Sequence, residues 1–220
     1  MKKLTAFIIV AVTALTLLVS CAPKEVVYVS VYDGSKIVCA WKTVALKDED
    51  KDGKMTINDV LAALHAAECK DGYASAEGQY GLYITKLWGD ESGAFGYYLN
   101  DGMAMGLSAE VKANDRIYAY VYSDKENYSD AYSYFDTPIV KGKAGEEVTV
   151  KLLGMLSYDE NWNPVSGPIS GATITIDGKA TEYKTGEDGS VKIKLPAEKA
   201  VISATAEGVT LIPPVLVSSK

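Results

Sequence analysis

The sequence predicts a mainly β fold with one helix (α+β), laid out as two modules in series. Three observations predict it. Val27, Val29 and Val31 alternate with Tyr28, Ser30 and Tyr32, the period-two pattern of a strand with two different faces. Ile57 to Glu68 carries Ile57, Val60, Leu61, Leu64 and Ala67 at helical spacing on one face. From Glu146 onward, short alternating segments follow one another between turns, the pattern of a small β-sandwich.

In chain order, residues 1–20 read as an export signal. Lys2 and Lys3 precede an uncharged apolar run from Leu4 to Val19. A bilayer span needs about 20 apolar residues, and this run suits the core of a signal peptide. It ends in Leu18-Val19-Ser20-Cys21, which resembles the lipobox of bacterial lipoproteins. The resemblance implies cleavage before Cys21, acylation (palmitate-type) of that cysteine, and a protein anchored to a membrane of the cell envelope, facing the exterior or the periplasm. More than one acyl chain makes such anchoring stable. An ordinary cleavable signal with a chance cysteine is the alternative. Residues 21–25 then form a lipidated tether.

The first module covers 26–136. Asp33-Gly34 is a tight-turn signal, so the Val27–Tyr32 strand and Ile37–Leu46 form a hairpin. The helix follows, then strands at Gly81–Lys86, Phe95–Leu99 and Arg116–Ser123, separated by glycine-rich turns. A polar, tyrosine-rich seam over 124–145 leads to the second module, 137–220. There strands are expected at Val148–Leu153, Ala172–Ile176, Lys179–Lys184, Val191–Leu195 and Ala200–Ala206, with turns at Asp177-Gly178 and Asp188-Gly189.

The first module contains Tyr80-Gly81-Leu82-Tyr83-Ile84-Thr85-Lys86-Leu87-Trp88-Gly89, then Gly96-Tyr97-Tyr98-Leu99-Asn100-Asp101, then Asn114-Asp115-Arg116-Ile117-Tyr118-Ala119. In order and spacing these motifs resemble the β-grasp domain at the C-terminal end of transcobalamin and intrinsic factor. The resemblance implies a β-grasp fold and binding of a soluble ligand, a corrinoid in those carriers. The stretch from Gly171-Ala172-Thr173 through Asp188-Gly189 resembles immunoglobulin-like and transthyretin-like modules, which imply spacing or adhesion.

Two groups of residues invite a binding role. In the loop before the helix, Asp48, Asp50, Asp52, the Lys54 carbonyl, Thr56 and Asp59 fall at the oxygen positions of a calcium-binding loop, with Gly53 at the sharp turn. Calcium takes six to eight hard oxygen ligands, and acids at alternate loop positions can converge on one centre. Equally, Thr56 and Asp59 form the signature of a capping box that needs no metal. The alternation at 48, 50 and 52 is what the capping reading leaves over.

The second group is aromatic. If the first and last strands are neighbours, as in a β-grasp sheet, Tyr28 and Tyr32 lie beside Tyr118, Tyr120 and Tyr122 opposite the helix, with Tyr83 a further member. Such a platform suits stacking on a ring or a sugar, or a protein partner. Alternatively, Tyr128, Tyr132, Tyr134 and Phe135, or the second module, cover it from within.

The remaining chemistry is sparse. The chain has 22 basic and 29 acidic residues; removing 1–20 takes two lysines and leaves 20 against 29, a net charge of −9. With Arg116 the single arginine, nucleic-acid binding is excluded. Cys39 and Cys69 are open either to a disulfide, contributing about 3–4 kcal/mol, or to the reduced state. His65 is the only histidine, and no nucleophile elbow or phosphate-cradling loop is present. The expectation is a non-catalytic surface lipoprotein that binds a soluble ligand (corrinoid or sugar) or a protein partner through its first module, with calcium in the acidic loop. The alternative is a structural or adhesion display protein with no small-molecule ligand.

Overall fold

The structure, a computed structural model, describes residues 25–161 and 163–219. The signal segment 1–20 and Cys21 lie outside the described residues. β1 (Val26–Tyr32) and β2 (Ile37–Ala45) form the expected antiparallel hairpin. Asp33 closes its turn: Oδ1 accepts the Ser35 and Lys36 N–H groups, each at 2.9 Å, and Gly34 takes the φ of 89° that the reversal requires. α1 (Ile57–Glu68) starts at a complete capping box between Thr56 and Asp59. It turns Ile57, Val60, Leu61 and Leu64 onto the sheet, where they meet Val27, Val29, Val31, Ile117, Ala119 and Val121 in one core. Ala67, expected on this face, is exposed, and His65 is buried instead.

β3 (Ala74–Gly78) and β4 (Gly81–Lys86) pair only with each other, as a hairpin set apart from the main sheet. β5 (Phe95–Leu99), β6 (Gly102–Met103) and β7 (Arg116–Val121) complete that sheet in the order β2-β1-β7-β5-β6. Only the β1–β7 pair is parallel. A central parallel pair, β1 and β7, with β2 antiparallel on one side and β5 and β6 on the other and one helix across a single face, is the β-grasp strand order expected from the sequence. The first and last strands are neighbours, as the fold class requires.

The second module is a sandwich. One sheet runs β11 (Pro164–Pro168), β10 (Glu147–Tyr158), β8 (Ala131–Phe135), β16 (Leu211–Ile212), with β14 (Ser190–Lys194) on the first half of β10. The other runs β13 (Lys179–Lys184), β12 (Thr173–Ile176), β15 (Ala200–Thr205), β17 (Leu216–Ser219), β9 (Ile139–Lys141). Leu152, Ile174, Ile193, Ile202 and Leu216 fill the space between them. One boundary needs correction. β8 pairs with β10 and β16, so Ala131–Phe135 belongs to the second module and not to a first module ending at 136.

Candidate functional site

The aromatic side of the grasp sheet is built by alternation. Tyr28, Ser30 and Tyr32 oppose Arg116, Tyr118 and Tyr120 in the parallel pair, and Tyr98 opposes Tyr118 across β5–β7. Gly96 opposes Tyr120, and a Cβ there would fall inside the Tyr120 ring, so only glycine leaves that ring room to lie flat on the strand. Trp41 joins them through a β-bulge. Val29 pairs with Lys42 while Val31 pairs with Cys39, so Ala40 and Trp41 together face Ser30. The buried Ser30 hydroxyl accepts the Trp41 N–H at 2.9 Å, and Trp41 takes a left-handed φ of 42°. The extra residue reverses the side on which Trp41 emerges: Cys39 and Val44 enter the helix-side core, Trp41 the opposite one.

This face is not open. Tyr32, Tyr118 and Tyr120 are 7%, 1% and 3% exposed, so of the two expectations for this face the cover from within is the one the structure has. Tyr132 of β8 stacks on Tyr98 with ring centroids 3.7 Å apart, and Ile212, Val215 and Val217 close over the rest. Three polar tips find partners across the seam, while the Tyr32 hydroxyl pairs with Ser123 and the Tyr120 hydroxyl with Tyr122 within the first module. The Tyr118 hydroxyl donates to the Pro213 carbonyl at 2.6 Å, the Trp41 Nε1–H to the Val215 carbonyl at 2.7 Å, and the Tyr132 hydroxyl to Asp101 Oδ1 at 2.9 Å. Arg116 fixes the other Asp101 oxygen at 2.6 Å. Burial raises the Tyr118 and Tyr132 phenols well above their ordinary value and pushes Tyr98 up to about 12, so all three remain neutral. Tyr28 and Tyr122 sit half-buried at the margin, and Tyr83 lies on the separate β3–β4 hairpin, 51% exposed and apart from this face.

The acidic loop joins β2 to α1. Carboxylate oxygens of Asp48, Asp50 and Asp52 lie within 4.8 Å of one another, a group that could hold a metal ion. The loop folds around them: Asp48 accepts the Asp52 and Gly53 N–H groups at 3.2 and 2.9 Å, and Asp52 accepts the Lys54 N–H at 2.8 Å. Left-handed φ values at Lys51 (63°) and Gly53 (89°) permit that curl. Lost hydration, then the negative charges of Asp59 and Asp52, raise the Asp50 carboxyl. The structure does not add Thr56 and Asp59 to this group. The Thr56 hydroxyl donates to Asp59 Oδ2 at 2.6 Å, the Thr56 N–H to the same oxygen at 2.9 Å, and the Glu49 N–H to Asp59 Oδ1 at 3.0 Å. Burial works to raise the Asp59 carboxyl, but these donors outweigh it and hold it below the ordinary carboxylate range. Lys54, expected to contribute its carbonyl, extends its ammonium toward Glu110, 3.6 Å away.

The cysteine pair is not formed; Cys39 and Cys69 are both free. Cys39 is 3% exposed in the helix-side core, its thiol donating to the Val29 carbonyl at 3.4 Å, and burial pushes that thiol up to about 11. Cys69 caps the end of α1 through its N–H to the His65 carbonyl. His65 is 2% exposed. Its Nδ1–H donates to the Leu61 carbonyl at 2.6 Å and its Nε2 accepts the Trp88 N–H at 3.3 Å, so both ring nitrogens are occupied.

The chain matches no family model, no curated protein and no solved structure.

Proposed function

We propose that this chain is a non-catalytic protein of the cell envelope, anchored through a lipid on Cys21, whose two modules act as one rigid unit for display at the surface. The observation that carries this reading is the closure of the tyrosine face. An aromatic surface expected to meet a ligand instead meets Tyr132, Pro213, Val215 and Val217 of the same chain. Buried aromatic contacts and satisfied hydrogen bonds resist hinge motion, so the sandwich is carried at a fixed angle on the grasp module. Leu156, Tyr158 and Val165, exposed on the β10–β11 hairpin, give the unit an apolar surface to present. The occupied ring of the only histidine supports a role without acid–base chemistry.

Calcium is the cation that suits the Asp48, Asp50 and Asp52 carboxylates, since it favours hard oxygen ligands and would relieve their mutual repulsion. Extracellular sites of this type bind at about 10⁻⁴–10⁻³ M, so the loop would fill at millimolar calcium. The likeness of the first module to vitamin-carrier domains supports a ligand role of the same sheet only if its aromatic face opens, which the seam opposes.

Two experiments test the proposal. Cells expressing the chain are labelled with a palmitate analogue and extracted with a phase-separating detergent. Label and detergent partitioning are expected for the natural sequence and lost in Cys21→Ala; an unlabelled, water-soluble product would overturn the anchor. The mature protein is then melted in EDTA and in millimolar calcium. A calcium-dependent rise in Tm that disappears in Asp48→Ala supports the metal loop, and identical melting curves refute it.

A further inference from the structure

A short tether limits how the molecule can stand on a membrane. Glu25 leads into β1 at one end of the grasp sheet: its carbonyl accepts the Leu46 N–H at 2.9 Å, and the Val26 carbonyl accepts the Asn114 N–H at 2.8 Å. Only residues 22–24 separate Glu25 from Cys21, a reach of at most about 14 Å at full extension. β1 then runs away from that end for seven residues, about 20 Å. The turn of the β1–β2 hairpin therefore stands farther from the anchor than the end at which the chain enters.

The loops that close the anchored end are pinned together. Asp115 Oδ1 accepts the Asn100 side-chain N–H and Oδ2 the Lys112 N–H, each at 2.9 Å, which ties the β5–β6 turn and the segment 104–115 to the start of β7. The Ala109 and Leu107 carbonyls accept the Ile57 and Asn58 N–H groups, each at 3.1 Å, and the Val111 N–H donates to the Met55 carbonyl at 2.8 Å, so the same segment holds the first turn of α1. Leu107 is fully buried in the helix-side core, yet Met103 and Met105 just before it are 64% and 98% exposed. Two flexible, unbranched apolar side chains are thus held outward on the end that the tether keeps beside the bilayer. Apolar side chains so placed leave water when they enter the headgroup layer. Residues 47–54, on the same end, carry four acids and three lysines, a balance that disfavours an anionic lipid surface and suits a zwitterionic one.

We infer that this end of the grasp module is a membrane-contact surface, with Met103 and Met105 entering the headgroup layer of the zwitterionic bilayer that holds the lipid on Cys21. The inference rests on the proposed anchor and goes beyond it by fixing which end is presented outward: the β1–β2 turn, with Lys36 exposed, points away from the bilayer. Spin labels read this orientation. A nitroxide is placed at Met105→Cys or at Lys36→Cys in a Cys69→Ser background, Cys39 being buried and out of reach of the reagent. The lipidated protein is reconstituted on phosphatidylcholine vesicles in EDTA, flotation with the vesicles is scored separately, and collisions of each label with an aqueous nickel chelate are measured. A site about 5–10 Å inside the interface is shielded from such a reagent, so the collision rate at Met105→Cys should be roughly fivefold below that at Lys36→Cys. Adding Cys21→Ala should abolish flotation and make the two rates equal. Protein that floats with equal rates at both sites, or with Lys36→Cys the more shielded, overturns the membrane contact and leaves the anchor standing. A difference that persists in Cys21→Ala overturns the contact too, because the shielding then comes from the protein itself. Lipidated protein that does not float overturns both anchor and contact.

Discussion

Replacing Trp41 by alanine and, separately, by phenylalanine separates two contributions to the seam. The indole is 8% exposed, meets Tyr118 edge-on with centroids 6.2 Å apart, and donates to the Val215 carbonyl at 2.7 Å. Deleting a buried large aromatic typically costs about 3–5 kcal/mol. Phenylalanine retains most of the ring but leaves the Val215 carbonyl without its donor, a loss of about 1–3 kcal/mol. The left-handed backbone at position 41 is equally strained with Trp, Phe or Ala, so it cancels from the comparison. Urea unfolding followed by circular dichroism reads both. The natural chain should show one transition, Trp41→Phe one transition at lower urea, and Trp41→Ala the largest loss, with the sandwich and grasp modules beginning to unfold separately. A loss below about 1 kcal/mol in Trp41→Ala, with the single transition intact, would refute the reasoning, because a residue sealing the interface cannot be removed so cheaply.

Three further outcomes follow from individual contacts. Gly96→Ala should destabilise the protein by about 1–3 kcal/mol, since the added methyl must displace the Tyr120 ring; calorimetry showing no change would mean that the ring moves freely. Burial lowers the His65 pKa below its ordinary 6.5, so between that folded value and about 6.5 the unfolded chain binds more protons. Stability should therefore be full above pH 6.5 and fall as the pH drops below it, by up to about 1.4 kcal/mol per pH unit, a slope that His65→Gln should remove in urea titrations. Thr56→Ala breaks the capping box and should cost about 1 kcal/mol while leaving any calcium-dependent Tm shift in place, which separates capping from metal binding.

Much of the fold was legible because its periodicities are uninterrupted. The valine–tyrosine alternation of β1 assigns both faces of the sheet, and Thr56 with Asp59 marks the start of α1 from spacing alone. Interruptions hid the rest. Counting by twos from Cys39 places Trp41 in the helix-side core; only the pairing of the Ser30 hydroxyl with the Trp41 N–H creates the bulge that turns it outward. β8 reads as a polar linker because its value lies in partners distant in sequence, Leu152 to Gly154 on one side and Leu211 to Ile212 on the other. The strands on either side of Pro213 and Pro214 are too brief to carry a period, yet the link between them supplies the Pro213 and Val215 carbonyls that receive the Tyr118 and Trp41 donors.

The claim that the two modules form one rigid unit is tested most directly by differential scanning calorimetry of the mature, detergent-solubilised protein. The account predicts a single endotherm whose calorimetric and van't Hoff enthalpies agree. Two resolved endotherms, or a van't Hoff enthalpy about twice too small for one unit, would contradict it.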